Sequence, residues 1–189
     1  MDGDTLVETV RERTATELDR LGSEKALVAT TEARLDREGV VSATLAAERR
    51  AAATFEMWAD DEADAGAGAA FERVAATERD HAERVAALLD DPEAEVDVAT
   101  DPLHAHLRTL DATPERVAAG LVARPLVSSR SLLQVINFFV NEADESTADT
   151  VRDFRSETDA LVDDGATLLD ACCADEDDCV RDDDAATET

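Results

Sequence analysis

An all-α fold follows from three features of the 189-residue chain: a core rich in Ala, Val and Leu, apolar residues recurring at helical spacing, and the absence of any strand pattern. Hydrophobic residues make up 44% of the sequence but aromatics only 3%, and there is no Tyr. Ala-rich, Gly-poor segments of this kind suit closely packed helices better than a sheet. The length is sufficient for one domain with a substantial core.

The elements follow in order. Leu6, Val10, Leu18 and Leu21 share a face, which predicts a helix over 5–21, broken by Gly22-Ser23. A weaker helical piece runs from Lys25 to Arg37 and is ended by Gly39. A long helix is expected from Ser42 to about Asp61, a turn over 61–68, and a second long helix from Ala69 to about Leu89. The acidic stretch 90–100, with Pro92, is a connection. Asp101-Pro102 and Thr113-Pro114 each open a short helix, with the first residue as cap and proline at the first position. Pro125 is read as an interruption, followed by an apolar helix over 126–140, a turn at "NEADEST", and a last helix over 147–173. Val151, Phe154, Leu161 and Leu168 mark the buried face of that helix. The chain thus divides into N-terminal helices (1–40) packed on a bundle (41–173) and an acidic tail (174–189) expected to be disordered. The bundle consists of two antiparallel helical hairpins, 42–89 and 125–173, joined by a connection over 90–124.

The net charge is −28, from 46 acidic and 18 basic residues, and Lys25 is the single lysine. Such a surface repels phosphate backbones, and no basic patch offsets it, so a nucleic-acid partner is not expected. Screening in a salt-rich cytoplasm would relieve the self-repulsion, so the composition resembles that of haloarchaeal proteins. No apolar run is long enough to span a bilayer and the N-terminus is not a signal peptide, so a cytoplasmic protein without a membrane partner is expected. Cys172, Cys173 and Cys179 form no CxxC pair, which excludes a zinc-ribbon or rubredoxin-type module. They are either incidental thiols or a metal or redox site.

Two carboxylates stand out from the solvated acids. Glu48 has Leu45, Ala52 and Phe55 on its helix face. Glu78 lies among Phe71, Val74, Ala75, Ala82 and Val85, with His81 as the one other polar group on that stripe. A carboxylate in an apolar stripe is costly unless paired, protonated or bound to metal. Glu48 and Glu78 are equidistant from the turn near residue 63, so an antiparallel hairpin brings Glu48, Glu78 and His81 to one level. Two carboxylates and an imidazole form half of a carboxylate-bridged di-iron ligand set. His104 and His106 diverge on their helix and cannot chelate one ion; His106 is expected to pack and His104 to be exposed.

The segment 45–89, with Glu48, Phe55, a turn and "ERDHAER" from Glu78, resembles the first hairpin of the rubrerythrin family within the ferritin-like superfamily. The resemblance implies a ferritin-like four-helix bundle, a homodimer, a di-iron (or Mn) centre, an electron donor and peroxide, oxygen or iron redox chemistry. It implies metal ligation by Glu48, Glu78 and His81, with Glu157 of "ETDA" at the position of the second ExxH motif. The second hairpin departs from the pattern: the histidine after Glu157 is missing, and "LVSSRSLLQVINFFV" contains no carboxylate. Apart from the plain reading, in which Glu78 and His81 are only a polar pair at the margin of a helical interaction domain, two chemistries remain open. In one, Glu157, water or a second copy of the chain completes a metal site. In the other the bundle is a metal-free structural or interaction module, with Arg130 turned inward to neutralise Glu48 or Glu78.

Overall fold

The computed structural model describes residues 2–91 and 102–172. Among these residues the chain is all-helical, with nine α-helices: α1 Gly3–Arg13, α2 Ala15–Leu21, α3 Glu24–Thr30, α4 Arg37–Asp61, α5 Ala65–Ala86, α6 Pro102–Leu107, α7 Thr113–Val117, α8 Arg124–Asn141 and α9 Glu145–Cys172. A π-helical segment, Ala118–Ala123, joins α7 to α8. Helices α4 and α5 pack as one hairpin and α8 and α9 as another, with α1 seated on α9 and both α2 and α3 on α8.

The helix ends follow local chemistry. Asp36 accepts from the Gly39 amide at 2.7 Å and starts α4 five residues before the Ser42 expected from apolar period. Asp64 caps α5 in the same way through the Ala67 amide at 2.8 Å. The expected helix over 5–21 is two helices that meet at Thr14, and α3 ends at Thr30 rather than Arg37, with Glu32 and Ala33 in the left-handed region. The cap of α7 is Ala112, without a side-chain hydrogen bond. The Asp101 cap, Cys173, Cys179 and the tail lie outside the described residues.

Pro125 does not interrupt the chain. The helix runs through it, because the preceding turns are widened: the Arg124 amide donates to the Ala119 carbonyl, five residues back. A proline inside an α-helix lacks one donor and its ring presses on the carbonyl four residues earlier; a π-helical turn opens the backbone at that point. The wide turn also brings helices close. A Cβ on Gly120 would lie 2.5 Å from Trp58 Cζ3, and one on Gly165 of α9 would lie 2.8 Å from the Leu121 carbonyl oxygen.

Two apolar clusters form the core. One joins α1, α4, α5, the π-helical segment and α9 around Phe55, Trp58 and Phe71; the other joins α4, α5, α8 and α9 around Leu45, Phe139 and Phe154. The buried face of α9 carries Val151, Phe154, Val162, Ala166 and Leu169, while Leu161 and Leu168 sit half-buried at its edge. Buried polar side chains converge between the two clusters.

Candidate metal centre

The helix period places Glu48 of α4 and Glu78 and His81 of α5 inside the bundle, with Glu78 and His81 each 1% exposed and Glu48 6%. One ligand atom from each lies within 4.8 Å of the others, so this buried group can hold a metal ion. The hairpin symmetry read from the sequence is thus realised in space.

The imidazole is held on both sides. Its Nε2 pairs with Glu157 Oε2 of α9 at 2.8 Å. Its Nδ1 faces Glu48 Oε2 at 3.6 Å, beyond hydrogen-bond distance. Phe154 stacks on the ring with centroids 4.3 Å apart, and Arg84 covers the outer face of Phe154 at 4.5 Å. In the neutral ring, donation of Nε2–H to Glu157 leaves the Nδ1 lone pair directed at Glu48. Glu157, whose side chain is 47% exposed, therefore holds the ring nitrogen opposite the one that faces Glu48 and orients the histidine.

The partner of Glu78 is Arg124, at the start of α8. Its Nη2 donates to Glu78 Oε1 at 2.6 Å, and both side chains are at most 5% exposed. The guanidinium lies 5.2 Å from the centroid of Phe55. Arg130, expected in this role, instead lines a surface pocket with Arg11 and Arg155. Arg130 lies six positions after Arg124, and the helix that runs through Pro125 turns Arg124 inward. The sequence carries one signal for it: Arg124 is the only charged residue between Arg116 and Arg130.

Burial sets the protonation of the group. It pushes the Glu78 carboxyl up to about 8, against the pull of Arg124 and with the help of the Glu48 charge. Burial acts on Glu48 in the same sense, but His81, Glu78 and Arg124 outweigh it and hold Glu48 below the usual carboxylate range. For His81 burial favours the neutral ring, yet Glu48 and Glu157 raise its pKa above the ordinary imidazole value. The two carboxyls therefore hold one proton between them at neutral pH, on Glu78, because His81 favours the ionised form of Glu48. Within this group three buried polar atoms make no hydrogen bond: Glu78 Oε2, His81 Nδ1 and Arg124 Nη1.

The two other histidines reverse the expectation. His104 is buried, with Nδ1 3.0 Å from Thr54 Oγ1, and His106 is exposed. The short helix α6 docks on α4 through that contact, so the neighbouring helix rather than the leucine stripe of α6 decides which histidine is covered. No helix among the described residues is long and apolar enough to cross a membrane. Compared with protein-family models, with curated proteins and with solved structures, the chain has no match.

Proposed function

We propose that this chain is a rubrerythrin-like protein on a ferritin-like bundle, in which Glu48, Glu78 and His81 hold one divalent iron or manganese ion and Arg124 takes the place of a second cation. The observation that carries this reading is the pair of orphaned atoms, Glu78 Oε2 and His81 Nδ1, buried within one group of potential ligands. Buried polar atoms without partners are rare, and two carboxylates with an imidazole suit a hard or borderline divalent metal.

A di-iron centre does not fit these residues. Among the described residues α8 and α9 add no carboxylate to the group, and the Arg124 guanidinium supplies the positive charge on Glu78. Nor does completion by a second copy suit a group whose members are at most 6% exposed within one chain. When bound, iron or manganese would supply one-electron chemistry toward peroxide or oxygen. The chain's own residues prepare the site. Glu157 fixes the histidine tautomer, Arg124 occupies Glu78 Oε1 and leaves Oε2 free, and Phe55 and Phe154 exclude water.

A metal-free structural module is the second reading, favoured by charge balance: Arg124 and a protonated His81 together offset Glu48 and Glu157 when Glu78 keeps its proton. Elemental analysis separates the two. Protein expressed with iron and manganese and purified without an affinity tag in molar KCl should carry about one metal ion per chain, lost in Glu78→Ala with helicity retained. Absence of metal from the wild-type chain, with the fold intact by circular dichroism, would overturn the metal reading. Peroxide turnover is the assay that follows a positive result.

A further inference from the structure

A pocket of about 270 Å³ opens on the surface where α1, α2, α8 and α9 meet. Three guanidiniums line it, each from a different helix: Arg11 of α1, Arg130 of α8 and Arg155 of α9. Arg155 is anchored, since its Nε donates to the Ser129 carbonyl at 3.3 Å and to Ser129 Oγ at 3.0 Å, which leaves the two Nη groups for another acceptor. Arg130 is half-buried, with its stem beside the α2–α3 junction: a Cβ on Gly22 would lie 3.7 Å from its Cδ. Among the described residues neither Arg11 nor Arg130 makes a hydrogen bond or an ion pair. Two acids complete the polar lining, both of them exposed. Asp159 stands 3.8 Å from Arg155 Nη2, beyond hydrogen-bond distance, and Asp19 of α2 makes no ion pair among the described residues. A chain with 46 acidic and 18 basic residues has acids to spare for every cation, yet here three arginines meet two carboxylates and the lining stays positive.

The donors select the shape of the anion. A guanidinium presents its N–H groups as a fork that matches a pair of oxygens. A planar carboxylate satisfies one such fork, whereas a tetrahedral oxyanion has acceptors for forks arriving from three helices. Small-molecule sites run from about 300 to 1,000 Å³, so this pocket suits an ion or a short ester rather than a nucleotide. We propose that it binds a phosphate group, as the free ion or as a small phosphomonoester, between Arg11, Arg130 and Arg155. The site shares no residue with the Glu48, Glu78 and His81 group and requires no metal.

The test is equilibrium dialysis of radiolabelled inorganic phosphate against the full-length protein in chelator and molar KCl, at pH 8, where phosphate is dianionic. At that salt the screening length is about 3 Å, so the pocket lining rather than the net charge of −28 decides the outcome. The expected result is saturable binding of one phosphate per chain, weakened about tenfold or more by Arg11→Gln and by Arg130→Gln. Arg13→Gln, on the same helix as Arg11 but outside the pocket, should bind as the wild type does. Acetate should displace phosphate poorly. Non-saturable uptake by the wild type would overturn the proposal, as would unchanged affinity in both pocket variants, an equal loss in Arg13→Gln, or acetate as effective as unlabelled phosphate. Glycerol phosphate separates the two sources: displacement more effective than that of unlabelled phosphate assigns a phosphomonoester and weaker displacement the free ion, and either supports the site. Metal-free protein is used throughout, so failure here is distinct from failure of the metal reading.

Discussion

Replacing Arg124 with Met probes the buried pair directly. The variant keeps an apolar stem of similar length but removes the Nη2 donor, 2.6 Å from Glu78 Oε1. Both Glu78 oxygens are then unpartnered, since Oε2 already is. At pH 6 Glu78 is protonated, because its pKa stands at about 8, so no bare charge is exposed. The cost is that of an unsatisfied buried acceptor, about 1–3 kcal/mol. Between pH 6 and about 8 the wild-type fold loses stability because Glu78 keeps a proton that the unfolded chain has released, and the loss levels off once the carboxyl ionises beside Arg124. The Met variant, whose Glu78 lacks the cation and titrates higher still, goes on losing stability up to pH 9, so its deficit should grow by about 1 kcal/mol between pH 6 and pH 9. Urea unfolding followed by circular dichroism, in chelator at constant molar KCl, measures both values. A deficit below about 0.5 kcal/mol at both pH values would place the pair among surface contacts. A deficit that shrinks toward pH 9 would show that Arg124 does not support the Glu78 carboxylate. Either result refutes the reasoning.

Three further expectations follow from the same structure. Metal-free wild-type protein should be less stable at pH 9 than at pH 6. The folded-state pKa values of Glu78 and His81 are raised, so their contribution is present at mildly acid pH and lost as pH rises through those values, and Glu78→Gln should flatten the decline. Manganese affinity, read by equilibrium dialysis, should rise over the same interval, because the ion must displace the proton on Glu78 and any proton on His81; a pH-independent affinity would count against ligation by these residues. Gly120→Ala should cost about 1–3 kcal/mol in thermal unfolding, since the added carbon meets the Trp58 ring at 2.5 Å, and a neutral effect would show that the π-helical segment has room to move.

The sequence by itself determined the helical class, the two long hairpins and the core of the site. Those properties are local or nearly so. Apolar period marks the buried faces of α4 and α5, and one short turn fixes the level at which Glu48 meets Glu78 and His81. The remaining partners were decided by tertiary structure. Arg124 enters because a π-helical turn carries the chain through Pro125, and a proline read in isolation signals a break. Glu157, placed with Glu48, Glu78 and His81 by resemblance, pairs with Nε2 of the imidazole while Glu48 faces Nδ1, a placement that depends on how α9 packs on the first hairpin. His104 and His106 exchange their expected environments for a similar reason: burial depends on which face of α6 meets α4, and the ten residues before α6 hold no pattern that sets that rotation. A helix's own residues fix its period, whereas the neighbour that covers each face, and therefore the partner of each buried charge, is a property of the assembled bundle.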